Sequence, residues 1–336
     1  MRKSLIFSIL LLFFLGCSSK DVFVPKNPKE KVLKSQTKNE YLRDYTKKNL
    51  TFKTLELKYV KRNSFIDDGV RGEWVYYDKN GNKLGKYKKI NDDLAVRGDK
   101  LLLIKEKKII PFPYMVASAS KKRNFIALTF ENNAIGIYDL KKNALIFYQE
   151  NEPVIIAKYL KSSPVFYNDL ILFPLLNSKI GVYDLRGNKF IRNIDLADDN
   201  ILNNIIFLKI VNNQLFMATP QKIILFDPNY LIDFQGDIKH IINMDKNLFV
   251  FLVDGKIIKF DTNLKKLKEI NLPFADYFAP GVCNGNIYTV TSNKYLIKIS
   301  KDLNVTVFEG TDFDTKAPLK IEGCKIYNSD KVYFIE

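Results

Sequence analysis

The sequence predicts an all-β fold that is built from one repeated unit. A polar turn, an alternating apolar strand, a short polar turn and a second apolar strand recur at 123–140, 168–186, 212–228, 246–262 and 285–302. The strands are rich in Ile, Val, Phe, Tyr and Leu, and Asn, Asp, Gly and Lys separate them. No stretch of 50–336 shows a long helical period with caps. Units of about 40 residues with four short strands predict a β-propeller of about seven, or six to eight, four-stranded blades.

Two further segments are interpreted as degenerate units. Residues 73–90 contain a turn at Asp78–Asn82, and residues 99–112 contain one at Glu106–Lys107. The last unit stops at residue 336 without an outer strand, so residues 51–60 are expected to supply one and to close the ring. A pair of β-sandwiches or another solenoid is the rival fold.

An aspartate follows the second apolar strand of most units. We expect it to cap the turn between the outer strands, because Asp side chains accept hydrogen bonds from nearby backbone amides. None of these repeat aspartates belongs to an Asp-x-Asp pair of the kind found in calcium loops, so calcium ligation is not favoured. The positions are Asp139, Asp184, Asp227, Asp261 and Asp302.

The N-terminus has the features of an export signal. Arg2 and Lys3 precede an apolar run over Leu5–Leu15, which is too short for the roughly 20 residues that span a bilayer. The run ends in Leu-Gly-Cys, which resembles a bacterial lipobox. That resemblance implies a diacylglycerol on Cys17, and Ser18 implies transfer to the outer membrane. The alternative is an ordinary signal peptide with a chance cysteine.

These features divide the chain into three parts. Residues 1–16 are the expected lipoprotein signal peptide, 17–50 the lipidated N-terminus with a flexible tether, and 51–336 the propeller. The tether prediction follows from its composition, since 18–50 holds nine basic and four acidic residues and little apolar periodicity.

The composition argues against most catalytic chemistry. A single histidine excludes multi-histidine metal sites, and three cysteines exclude four-cysteine zinc clusters. We therefore expect no catalytic residue, no metal site and no cofactor, and classify the protein as a non-enzyme. The net charge of +16 is spread along the chain. It reflects either codon bias toward Lys and Asn or attraction to anionic lipid headgroups. Nucleic acid is not an expected partner, because no binding motif is present.

Several segments resemble a known repeat family. Residues 162–172 (SSPVFYNDLIL), 278–288 (FAPGVCNGNIY) and 183–189 (YDLRGNK) resemble the repeats of pyrroloquinoline-quinone-type propellers. The tryptophan usual in those repeats is missing, and no vicinal cysteine pair of the quinone dehydrogenases is present. With a lipobox and a tether, the chain resembles BamB, the propeller lipoprotein of the outer-membrane β-barrel assembly machinery. The resemblance implies a scaffold that faces the periplasm and binds that machinery.

Two further predictions concern specific residues. Loop 195–200, with Asp195, Leu196, Asp198, Asp199 and Asn200, is acidic on a basic protein and is the candidate partner-binding loop, although a solvated turn explains it equally. Cys283 and Cys324 lie about one unit apart and could form a disulfide in an oxidising compartment, or remain two buried thiols. The alternative function is a surface or periplasmic binding lipoprotein, such as an adhesin or a cell-envelope contact protein.

Overall fold

The repeats of the sequence fold into antiparallel sheets. The computed structural model describes residues 50–54, 57, 59–61, 73–152, 162–176, 178–196, 204–226, 231–273, 275–309, 311–317, 319–329 and 331–335. Seven sheets form the blades of a β-propeller, and five of them have four strands while two have a fifth. The all-β prediction and the count of about seven blades are thereby confirmed. No helix capable of crossing a membrane occurs among these described residues.

The strands are numbered in chain order. The first two are β1 (Leu50–Thr54) and β2 (Tyr59–Lys61). Blade 1 contains β3 (Glu73–Tyr77), β4 (Lys83–Lys89), β5 (Leu94–Arg97), β6 (Lys100–Leu103) and β7 (Lys108–Pro111). Blade 2 contains β8 (Val116–Lys122), β9 (Phe125–Phe130), β10 (Ile135–Asp139) and β11 (Ala144–Gln149). Blade 3 contains β12 (Val165–Tyr167), β13 (Leu170–Pro174), β14 (Lys179–Asp184) and β15 (Lys189–Asp195).

The remaining blades follow the same order. Blade 4 contains β16 (Phe207–Val211), β17 (Gln214–Ala218), β18 (Lys222–Phe226) and β19 (Leu231–Gln235). Blade 5 contains β20 (Ile238–Met244), β21 (Asn247–Leu252), β22 (Lys256–Phe260) and β23 (Lys266–Asn271). Blade 6 contains β24 (Tyr277–Cys283), β25 (Asn286–Thr291), β26 (Leu296–Ser300) and β27 (Val305–Glu309). Blade 7 contains β28 (Leu319–Glu322), β29 (Lys325–Asn328) and β30 (Lys331–Phe334).

The N-terminal strands complete the last two blades. Strand β2 pairs antiparallel with β30, with Val60 opposite Val332, and is the fourth strand of blade 7. Strand β1 pairs parallel with β27, with Leu50 opposite Val305, and adds a fifth strand to blade 6. The segment expected to close the ring therefore does so through β2, whereas β1 extends the neighbouring blade. Pairing the two chain ends protects the outer edges of both sheets.

The hydrophobic core lies between neighbouring blades. One cluster packs Leu94 and Leu101 of blade 1 against Ile126 and Leu128 of blade 2, and equivalent clusters join the following pairs up to blades 6 and 7. The second strand of a blade is covered on both faces, so β21 is a continuous apolar run, NLFVFL. Outer strands such as β23 are mostly exposed, which explains their polar residues.

The turns explain why Asn and Asp recur between the strands. Asn284 and Gly285 both have positive φ, as the tight β24–β25 hairpin requires, and Asn tolerates this conformation better than most residues. Three repeat aspartates act as predicted: Asp139 accepts a hydrogen bond from the Lys141 amide at 2.8 Å, Asp184 from the Arg186 amide at 2.9 Å and Asp261 from the Asn263 amide at 2.9 Å. The prediction is wrong for Asp302, because in that turn the Ser300 hydroxyl accepts the hydrogen bonds of the Asp302 and Asn304 amides instead. Asp227 lies outside the described residues.

Blades 6 and 7 are connected by a disulfide bond and by close packing of their inner strands. Cys283, at the end of β24, forms a disulfide with Cys324, just before β29, and their Cα atoms are 4.8 Å apart. Two residues earlier, Gly281 lies so close to β28 that a Cβ atom there would be 2.7 Å from the Ile321 carbonyl oxygen. The inner strands of these two blades therefore meet at a position that admits only glycine.

Candidate protein-interaction face

The propeller has two faces with different kinds of loops. The hairpin face carries the turns that join the first to the second and the third to the fourth strand of a blade, with β4 to β7 taken as the first to fourth strands of blade 1. The connector face carries the turns between second and third strands and the segments that lead to the next blade. Among the strands β3 to β30, the longest of these segments are 150–164, 196–206 and 310–318, all on the connector face. The predicted partner-binding loop 195–200 begins at this face, since Asp195 ends β15 there.

A recess opens on the connector face where blades 2, 3 and 4 meet. Its cavity volume is about 10 Å³, which is room for about one water molecule. Its lining is mainly apolar, with Phe130 from β9 and Leu176 after β13, and Thr129 and Asn204 add polar groups. The two long connectors border it, since Ser162 and Ile205 belong to their described ends and are joined by a backbone hydrogen bond of 3.1 Å. The recess is therefore a shallow apolar junction between the two connectors, too small to enclose a ligand by itself.

Asn133 holds the loops around this recess together. It lies in the turn after β9, is 2 % exposed and has a φ of 64°. Its Oδ1 accepts a hydrogen bond from the Leu176 amide at 2.8 Å, and its Nδ2 donates to the Glu152 carbonyl at 2.8 Å. The Asn151 side chain donates in turn to the Asn133 carbonyl at 3.0 Å. One buried side chain thus positions the start of the first long connector and the adjacent turn of blade 3.

An aromatic patch lies on the same face of blade 2. It consists of Tyr114, Met115 and Tyr148, where Tyr114 and Met115 are 39 % and 55 % exposed. The rings of Tyr114 and Tyr148 are stacked with centroids 5.0 Å apart. The Tyr148 hydroxyl accepts a hydrogen bond from Asn132 at 3.2 Å, and burial raises its pKa to about 12, so it stays neutral. Tyr and Met side chains are enriched at protein interfaces, because Tyr buries much area at low entropic cost and the flexible Met side chain adapts to irregular surfaces.

The residues predicted for the partner loop are only partly within the described structure. Asp195 ends β15 with an exposed side chain at the connector face. Leu196 is 7 % exposed and packs in the cluster between blades 3 and 4, so it anchors the loop rather than presenting itself to a ligand. Asp198, Asp199 and Asn200 lie outside the described residues, as does Cys17.

Sequence reasoning missed the aromatic patch and Asn133. The segment Pro111–Met115 (PFPYM) contained a signal, since prolines keep it out of a regular strand while its aromatic residue has no place in the repeat. Asn133 has no comparable signal, because many turns contain Asn and the sequence does not show which of these residues is buried.

The single histidine is a packing residue. His240 lies in β20, and its Nε2 is 3.2 Å from the Tyr277 carbonyl oxygen of blade 6. Burial and, to a smaller extent, the neighbouring Lys239 charge lower its pKa to about 4, so the ring is neutral at physiological pH.

Comparison with known proteins identifies relatives in sequence and in fold. No protein-family model matches the chain. The chain is 28% identical over 230 residues to the plasminogen-binding protein PgbB of Helicobacter pylori strain J99, and 28% identical over 231 residues to PgbB of strain 26695. Each match covers 67% of this chain. The match covers only 41% and 40% of those relatives, so the chain spans about two fifths of their length.

The solved structures share the fold at low identity. BamB from Moraxella catarrhalis has a TM-score of 0.56 and 12% identity, covering 83% of this chain and 98% of that one. The C-terminal WD40 domain of Sif2 has a TM-score of 0.60 and 10% identity, with 84% and 99% covered. These similarities show the β-propeller fold, which many unrelated functions share.

Proposed function

We propose that this protein is a non-enzymatic binding lipoprotein of the cell envelope, whose connector face binds a protein ligand. The observation that carries the proposal is the exposed aromatic patch of Tyr114, Met115 and Tyr148 beside the apolar recess, on the face with the longest connectors. A rigid ring that presents variable loops is suited to protein recognition. Clusters of exposed Tyr and Met supply the anchors on which such interfaces depend.

Plasminogen is the first ligand to test. The relatives with significant sequence similarity are described as plasminogen-binding proteins, and the match covers 67% of this chain. That similarity favours the alternative among our sequence hypotheses, a surface or periplasmic binding lipoprotein. Because the chain matches only about two fifths of PgbB, plasminogen binding by this chain is part of the proposal.

The test compares two patches of exposed apolar residues. The purified full chain is measured for plasminogen binding, together with Tyr114→Ala/Met115→Ala and a control, Leu231→Ala/Leu267→Ala, whose residues are 67 % and 50 % exposed on outer strands. Removing interface anchors weakens binding by about 10- to 100-fold, while the control retains parental affinity. Equal affinities would exclude the patch as the site, and absence of binding by the parent would exclude plasminogen.

A role in outer-membrane barrel assembly is the second candidate. It is supported by the shared fold with BamB and by the lipobox-like N-terminus. Crosslinking of the native protein in cells, followed by membrane fractionation and mass spectrometry, tests it. Recovery of the barrel-assembly protein from the outer membrane would favour this role. If the barrel-assembly protein is not recovered and the chain binds plasminogen, only the first candidate function, ligand binding at the cell envelope, remains.

Anchorage at the membrane by a lipid on Cys17 is part of the same proposal, with the outer membrane as the expected location. Replacement Cys17→Ser should move the protein from the membrane to the soluble fraction and abolish palmitate labelling. Protease accessibility on intact cells separates display at the surface from a position facing the periplasm. Absorbance spectra and metal analysis of the purified protein test the expectation that it has no cofactor.

A further inference from the structure

The two faces of the propeller differ in charge. The count covers described residues in the turns and connectors between β3 and β30, with one flanking strand residue on each side. On the hairpin face these positions hold 15 Lys and Arg against 10 Asp and Glu. On the connector face they hold 10 against 12. Among these described positions, the hairpin face therefore carries a net positive charge and the connector face a slightly negative one.

Many hairpin-face cations have no acidic partner. Eleven of them lie more than 4.0 Å from every carboxylate of the described residues: Lys107, Lys108, Lys122, Arg123, Lys141, Lys142, Lys189, Lys246, Lys265, Lys301 and Lys325. Several acidic residues of this face are engaged internally instead. Asp139 and Asp261, for example, accept hydrogen bonds from backbone amides of their own turns. These unpaired cations therefore create a positive electrostatic potential in the solvent in front of this face.

The densest part of this basic surface spans adjacent blades. The Lys108 ammonium donates to the Asn143 side chain at 2.9 Å, which joins the outer turns of blades 1 and 2. The Lys122 ammonium lies 5.9 Å from the centre of the Phe166 ring, which joins blades 2 and 3. These contacts hold cations of blades 1 and 2 against the neighbouring blade by ordered side chains.

The polypeptide also enters the propeller from this face. Leu50, the first described residue, pairs with Val305, which directly follows the hairpin-face turn 301–304 of blade 6. The segment before it, 18–50, contains nine basic and four acidic residues. The attachment point of the N-terminal segment and the excess positive charge therefore coincide on the hairpin face.

We propose that the hairpin face lies against an anionic phospholipid surface, so that the connector face points away from the membrane toward its protein ligand. The proposal rests on the membrane anchorage proposed above, which brings the domain to the bilayer. One anchor combined with a basic surface is a recurrent way to hold a protein on a membrane. Each Lys or Arg near a strongly anionic membrane strengthens attraction about five-fold, and salt screens this attraction.

The test measures which face approaches the bilayer. The full chain, bound to vesicles, carries a fluorophore at Asn304→Cys on the hairpin face or at Asn293→Cys on the connector face. Both residues are exposed turn positions of blade 6. Quenching by a headgroup-attached quencher is compared on vesicles with 30% phosphatidylglycerol and on pure phosphatidylcholine, and the parent chain reports any other labelled thiol. On anionic vesicles at low salt, we expect strong quenching of the Asn304→Cys label only.

Charge-removal variants test whether the hairpin-face cations cause the expected orientation on the membrane. Arg123→Gln/Lys141→Gln/Lys142→Gln should abolish the difference between the labels, since three cations account for about a 100-fold bias. The matched variant Lys100→Gln/Lys294→Gln/Lys316→Gln removes three exposed connector-face cations and should preserve it. Equal quenching of both labels on anionic vesicles, stronger quenching at Asn293→Cys, or failure of the chain to bind anionic vesicles would overturn the proposal. If the chain binds both vesicle types equally and the two labels are quenched alike, the proposed lipid anchorage stands, but the proposal that the hairpin face lies against the membrane is refuted.

Discussion

Replacement of Asn133 tests how the connector face is built. The Asn133 side chain makes two buried hydrogen bonds, to the Leu176 amide and the Glu152 carbonyl, each 2.8 Å long. In Asn133→Gly both are lost while the backbone keeps a residue that accepts a φ of 64°. A buried group without a partner costs about 1–3 kcal/mol, so we expect the free energy of unfolding to fall by about 2–4 kcal/mol.

The alanine variant adds a second, separable effect. Asn133→Ala loses the same hydrogen bonds and also places a Cβ atom in the left-handed region, which costs about 1–2 kcal/mol more. Glu131→Ala is the matched control, because Glu131 is exposed in the same turn, and its stability should stay within about 0.5 kcal/mol of the parent.

Urea unfolding and limited trypsin digestion provide the assays. The connector that Asn133 fastens contains Lys158 and Lys161, so cleavage within 150–164 should accelerate in both Asn133 variants and not in the control. Ligand binding by the connector face should weaken in parallel. Parental stability and parental cleavage rates in Asn133→Gly would refute the idea that this residue organises the face.

Three further predictions concern the inner strands and can be checked by urea unfolding. The pKa of His240 is about 4 in the folded protein against about 6.5 unfolded. The unfolded chain therefore takes up the proton first as pH falls, and about 2 kcal/mol of stability present at pH 7.5 should be lost by pH 5.0. His240→Gln should remove most of that difference between the two pH values, and an unchanged pH dependence would show that another group is responsible. Gly281→Ala should lower stability by about 1–3 kcal/mol, because its Cβ would meet the Ile321 carbonyl at 2.7 Å; an unaltered midpoint would mean that the two strands separate readily. Reduction of the Cys283–Cys324 disulfide should cost about 2–4 kcal/mol, and two reactive thiols in the denatured, unreduced protein would show that the bond does not form.

Some features of the fold were accessible from local sequence patterns. Alternating strands such as NIYTVT, hairpins such as Asn284–Gly285 and aspartates such as Asp139 act over a few residues, so their periodicity predicts strands, turns and the repeat length directly. The segments 73–90 and 99–112 do form strands, but the interpretation of them as two units is wrong, because both supply strands to the single sheet of blade 1.

Other features depend on contacts between distant segments. The sequence suggested that residues 51–60 close the ring, but not that β1 would pair with blade 6 and only β2 with blade 7. The choice depends on which sheet edge is free and within reach, and this is decided once the blades have assembled. The candidate site has the same origin, because Asn133 becomes a buried junction only when blade 3 packs against blade 2.

The sequence by itself determined the all-β repeat, the number of blades to within one, the turn chemistry and the exclusion of multi-histidine and four-cysteine metal sites, because each follows from residue types at short spacing. Only the tertiary structure decided which loops share a face, how Tyr114 stacks on Tyr148, and which face carries the net positive charge. The physical reason is that successive strands alternate in direction. Consecutive turns therefore lie on opposite faces of the propeller, whereas equivalent turns of different blades lie on the same face.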